Sequence, residues 1–153
     1  MAMRILLIED EAGIAEMVSS LTESFCSLFV WVDTLHGAIE KLTDPANSFD
    51  VVIHDLRLRD TSTEGGISAI KSLRKMANAP ILVLSGNPSP DVKQRCLEAG
   101  ADAFIEKTNA FHPQNKALLV AIQTAIIRNP KPRSGDFQPH VETLARLVKD
   151  IAA

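Results

Sequence analysis

Arg4-Ile-Leu-Leu-Ile-Glu-Asp-Glu11 decides the fold. Ile5 to Ile8 is an unbroken branched-aliphatic run, too short for a helix, and it delivers three acids at its end. Runs of this kind read as strands buried on both faces of a parallel sheet. The arrangement recurs in Val51-Val-Ile-His-Asp55, Ile81-Leu-Val-Leu-Ser85 and Ala103-Phe-Ile-Glu-Lys107. Each time the run hands over to a residue with chemistry: Glu9 and Asp10, Asp55, Ser85, Lys107. In open α/β folds those positions lie at the carboxyl edge of the sheet, where sites form.

Longer helical patterns separate the runs. Ile14, Met17, Val18, Leu21 and Phe25 share a face over about 13–25. Leu28-Phe-Val-Trp-Val32 reads as another strand, with Trp31 facing a helix rather than the carboxyl edge. Asp33 and Thr34 cap a helix over 35–42. A polar loop from Arg57 to Gly66 precedes a helix through Ile67, Ile70, Leu73 and Met76. Ser89 and Pro90 begin the next helix and Gly100 stops it. The last helix of the sheet domain covers about 113–128. Strand and helix thus alternate five times. The expectation is a doubly wound α/β domain, its five parallel strands covered by helices on both faces.

The sheet domain is expected to occupy 1–128. Asn129-Pro-Lys-Pro-Arg-Ser-Gly135 has linker composition. In 136–153, Val141, Leu144, Val148 and Ile151 recur at helical spacing, which predicts an amphipathic C-terminal helix. That helix can pack on the domain, pair with a second copy or begin a further module.

With 153 residues, 46% hydrophobic and 23% charged, the chain suits one globular domain. A net charge of −3 gives no case for nucleic acid as a partner. No apolar stretch is long enough to span a bilayer, and the start shows no signal peptide, so a cytoplasmic protein is expected. Cys26 and Cys96 fit no metal spacing and read as reduced residues within helical patterns. His36, His112 and His140 form no ligand spacing either. His54 abuts Asp55, but strand side chains alternate, so it reads as a flank or core histidine.

The four fragments together resemble the receiver domains of two-component response regulators. Their gaps fit that family as well: 45, 30 and 22 residues separate Asp10, Asp55, Ser85 and Lys107. The resemblance implies the CheY-like, flavodoxin-like strand order 2-1-3-4-5. It implies Asp55 as phosphoacceptor, with a histidine kinase or histidine phosphotransfer protein as donor. Mg²⁺ would be held by Asp10, Asp55 and the Arg57 backbone carbonyl, with Glu9 acting through water. Lys107 and Ser85 would hold phosphoryl oxygens. Ser85 and Phe104 would form the switch, and Arg57 and Asn87 would tune phosphoryl lifetime. Output would leave through the fourth helix, fifth strand and fifth helix to a downstream protein or a second copy. The domain would catalyse only its own phosphorylation and dephosphorylation.

Three acids at one edge also repel, so at least one should have a raised pKa without a metal. Two features depart from the family. Thr108 stands where a proline commonly follows the lysine, and the loop after Asp55 is longer and more polar. Two other functions compete: a phosphorylation-independent interaction module, and a haloacid-dehalogenase-type phosphohydrolase. The latter expects Asp-x-Asp, where this chain has Asp55-Leu-Arg57.

Overall fold

The computed structural model describes residues 3–59, 61–86, 89–112 and 116–128. The linker 129–135, the amphipathic segment 136–153 and Asn87 lie outside the described residues. Five strands form one parallel sheet: β1 (Met3–Ile8), β2 (Cys26–Val32), β3 (Val51–Asp55), β4 (Ile81–Ser85) and β5 (Ala103–Glu106). Their order is β2-β1-β3-β4-β5, as expected. Among the described residues six helices accompany them: α1 (Ala12–Thr22), α2 (Leu35–Thr43), α3 (Thr63–Met76), α4 (Pro90–Ala99), α5 (Lys107–Ala110) and α6 (Ala117–Arg128).

Because strand side chains alternate, each apolar run feeds both faces of the sheet. Ile5, Leu7, Ile53, Leu82 and Leu84 face α1 and α6, meeting Ala15, Val18, Leu118 and Ile122. On the other face, Leu6, Ile8, Val52 and Ile81 meet Ala38 of α2 and Leu73 of α3. Val83 meets Ile70 of α3 and Cys96 of α4. Covered on both faces, β1, β3 and β4 need no polar alternation, which is why continuous aliphatic runs encode them.

Several boundaries differ from the sequence expectation. Helix α1 ends at Thr22, whose hydroxyl donates back to the Val18 carbonyl at 2.9 Å. Phe25 therefore lies beyond the helix, yet it is buried in the same core. Cys26 begins β2 rather than lying in a helix. Helix α3 starts at Thr63, capped by Ser62, whose Oγ accepts from the Gly65 N–H at 3.1 Å. The polar loop after β3 is thus shorter than expected, and Gly65 and Gly66 are helical. A Cβ on Gly66 would lie 1.9 Å from the Leu56 carbonyl oxygen, so glycine there permits close packing rather than a break. The expected helix over 113–128 is α6, which starts only at Ala117, and a further short helix, α5, precedes it at Lys107–Ala110. Lys116, with φ of 43°, is left-handed and cannot belong to the helix that follows it.

Candidate functional site

The carboxyl edge gathers the residues singled out above. Glu9 and Asp10 follow β1, Asp55 ends β3, Ser85 ends β4, and Lys107 follows β5 as the first residue of α5. Parallel pairing of β1 with β3, and of β3 with β4 and β4 with β5, aligns these ends. They border a cleft of about 380 Å³ whose lining includes Asp10, Asp55, Arg57, Arg59, Ser85 and Lys107.

Lysine is the hub. Lys107 Nζ lies 3.2 Å from Glu9 Oε1 and 3.2 Å from Asp55 Oδ2. Asp55 Oδ1 accepts the Arg57 backbone N–H at 3.2 Å, and Glu9 Oε2 accepts the Asp10 N–H at 3.1 Å. Glu9, Asp55 and Ser85 are buried, whereas Asp10 keeps some exposure. Burial pushes the Glu9 carboxyl up to about 8, reinforced by the hydrogen bond and charge of Asp55 and opposed by Lys107. One acid of the cluster is raised, as expected, but burial leads and repulsion from Asp55 only adds to it. Burial alone would lower the Lys107 ammonium, but Asp55 and Glu9 outweigh it and hold its pKa above the usual value.

Among the described residues, Glu9, Asp10 and Asp55 can each turn one carboxylate oxygen into a group within 4.8 Å of one another. Glu9 Oε1 is sealed from water, and its contact with the ammonium falls outside hydrogen-bond geometry. An acceptor left with unused capacity, in an all-oxygen donor set carrying surplus negative charge, fits a hard divalent cation such as Mg²⁺.

Three features of the site escaped the sequence. Trp31 does not turn away from the carboxyl edge. Its indole Nε1–H donates to the Glu9 backbone carbonyl at 2.6 Å. A long planar side chain reaches forward past its own strand, which alternation of faces does not reveal. Arg59, 84% exposed in the loop after β3, brings Nε to 3.8 Å from Asp10 Oδ2. Gly66 lies against Leu56, the residue after Asp55.

His54 is buried on the opposite side from Asp55, as alternation required, with Nε2 3.4 Å from the Gly66 carbonyl oxygen. Burial pushes its imidazole down to about 4, against the pull of that carbonyl and of Asp55. Phe104 is half-buried against the α3–α4 core and pairs with Val83, two residues before Ser85 on the same sheet face. Arg57 is exposed at the cleft mouth, in the position where an Asp-x-Asp phosphohydrolase would need its second acid.

Residues 5–119 match the response regulator receiver domain family. The chain belongs to that family. It is similar to the cell cycle response regulator CtrA of Brucella ovis, at 34% identity over 132 residues. Identity to the cell cycle transcriptional regulator CtrA of Caulobacter vibrioides is 30% over 132 residues. Each match covers 84% of this chain and 52% of the relative, so the chain spans about half the length of the curated relatives it matches. The non-phosphorylated HemR receiver domain from Leptospira biflexa is 33% identical, with a TM-score of 0.65 over 80% of this chain and 93% of that one. The chain is therefore a receiver of the two-component type, with the receiver fold. No helix among the described residues is long and apolar enough to cross a membrane.

Proposed function

We propose that this receiver is a cytoplasmic phosphoacceptor, taking a phosphoryl group on Asp55 from a histidine kinase or histidine phosphotransfer protein. The observation that carries it is the Lys107 ammonium, 3.2 Å from both Asp55 and Glu9 in a cleft that also holds Asp10 and Ser85. An Asp55 carboxylate oxygen attacks phosphorus, and the donor's phosphorus–nitrogen bond breaks with its electron pair left on the imidazole. Lys107 meets one phosphoryl oxygen with its ammonium, and the Ser85 hydroxyl donates to another. Lys107 already faces Asp55 before the phosphoryl group arrives, so its charge is in place as the reaction proceeds. Asp10, Asp55 and the Arg57 carbonyl would hold Mg²⁺, with Glu9 through water. When bound, the ion neutralises charge on the transferring group.

Output would leave through the face made by α4, β5 and α6, toward a downstream protein or a second copy. The shared sheet face of Ser85 and Phe104 supports a switch. As the Ser85 hydroxyl is drawn to the phosphoryl group, Phe104 turns into the space beside β5, shifting two pre-existing states. Arg57 at the cleft mouth is placed to screen the hydrolytic water and so to set phosphoryl lifetime, with Asn87 as its proposed companion. The test is labelling with acetyl phosphate and Mg²⁺. Stoichiometric label on wild type and none on Asp55→Asn supports the assignment. Label retained by Asp55→Asn sinks it, and no label on wild type points to a phosphorylation-independent module.

A further inference from the structure

The β1–β2 register ends at the pair Ile8 and Val32. Glu9 nevertheless stays fastened to β2 through both of its backbone groups. Its N–H donates to the Val32 carbonyl at 3.0 Å, and its carbonyl accepts from Trp31 Nε1 at 2.6 Å. These bonds fix the peptide planes on either side of Glu9. Through the second plane they fix the start of Asp10, whose own N–H returns to Glu9 Oε2. Packing does not account for a tryptophan here, because 45% of it remains exposed. A smaller apolar residue would leave less surface in water. What the indole adds is a hydrogen-bond donor with long reach.

We propose that Trp31 is a positioning residue for the acid pair: its indole N–H clamps the Glu9 carbonyl and so holds Glu9 and Asp10 in the geometry that receives a divalent cation. This rests on the cleft being the Mg²⁺ and phosphoryl site. Without the clamp, the Glu9–Asp10 peptide regains freedom that binding must remove. Loss of one net hydrogen bond corresponds to roughly two- to tenfold in affinity. Trp31 is also the chain's single tryptophan, and tyrosine is absent, so intrinsic emission reports this one place.

The test replaces the N–H while keeping the ring. Because the chain has one tryptophan, growth with benzothienylalanine, which carries sulfur in place of the indole N–H, changes only position 31. Trp31→Phe gives a second form. Calorimetry measures Mg²⁺ affinity in each, urea unfolding measures stability, and ¹⁵N spectra follow the Asp10 amide. The expected result is about two- to tenfold weaker Mg²⁺ binding in both altered proteins. The Asp10 amide should shift before metal is added, and wild-type emission should change with the calorimetric midpoint. Lower stability with unchanged Mg²⁺ affinity and an unmoved Asp10 amide would make Trp31 merely structural and overturn the proposal. Should wild type bind no Mg²⁺, the reading of the cleft fails and the proposal with it. Equal binding by all three forms removes the clamp alone.

Discussion

Gly66→Ala should be destabilising although it replaces glycine inside a helix. The new Cβ would lie 1.9 Å from the Leu56 carbonyl oxygen and 3.0 Å from its carbonyl carbon. Ordinary contact needs more than 3 Å, so either α3 or the chain after Asp55 must retreat by over 1 Å. Leu56 resists, because it is buried and its N–H donates to the Leu84 carbonyl at 3.0 Å. Helix α3 resists too, through the Gly66 N–H to the Ser62 carbonyl at 2.8 Å and the core contacts of Ile67 and Ile70. Overpacking of this kind costs about 1–3 kcal/mol and sometimes more, against about 1 kcal/mol gained from alanine's helix propensity. A clash with backbone belongs at the upper end, so the net loss should be about 2 kcal/mol, or roughly 4–8 °C in Tm for a chain of this size. Because Leu56 follows the phosphoacceptor, acetyl phosphate labelling should slow as well. Gly13→Ala is the control: it lies in α1 with nothing within 4 Å of its Cβ, so it should stabilise by about 1 kcal/mol. Urea unfolding of both variants decides the matter. A Gly66→Ala protein as stable as Gly13→Ala would refute the close approach.

Acid should weaken the fold through His54. Its folded pKa near 4, against 6.5 unexposed to the fold, means the unfolded chain binds a proton that the native state refuses between those values. That contribution is intact above pH 6.5 and costs about 3 kcal/mol once pH falls below 4; His54→Leu should flatten this limb of a stability–pH curve, and an unchanged limb would exclude His54 as its source. Lys107→Ala should slow labelling by acetyl phosphate about a hundredfold, the usual cost of losing one preorganised donor to a developing charge. Equal rates would remove the lysine from the mechanism. Arg74→Ala should cost about 2–3 kcal/mol, because Arg74 donates to Asp102 and to the carbonyls of Ala77, Ala79 and Gly100, tying α3 to the starts of β4 and β5. Denaturant midpoints check it, and a loss below half a kilocalorie would show those groups re-satisfied by water.

What the sequence made legible was whatever rests on periodicity and strand ends. Aliphatic runs of even burial announce parallel strands, and the residue after each run must reach the carboxyl edge, so Glu9, Asp10, Asp55, Ser85 and Lys107 could be placed together. Features that depend on through-space reach were hidden. Nothing in the run 28–32 tells that the Trp31 indole stretches forward to the Glu9 carbonyl. Glycine signals both a break and a close approach, and at Gly66 the second was true. The approach of Arg59 to Asp10 exists only once the loop after β3 is folded over the edge. Lys116 delays the start of α6 to Ala117 by its left-handed backbone, which residue type alone does not announce.

The central claim is that Asp55 is a Mg²⁺-dependent phosphoacceptor. Intact-protein mass after incubation with acetyl phosphate tests it most directly, comparing wild type, Asp55→Asn and Asp10→Ala with and without Mg²⁺. The expected result is one phosphoryl mass on wild type only when Mg²⁺ is present, none on Asp55→Asn, and a strongly reduced yield on Asp10→Ala. A full phosphoryl adduct on Asp55→Asn, or a wild-type yield indifferent to Mg²⁺, would contradict it.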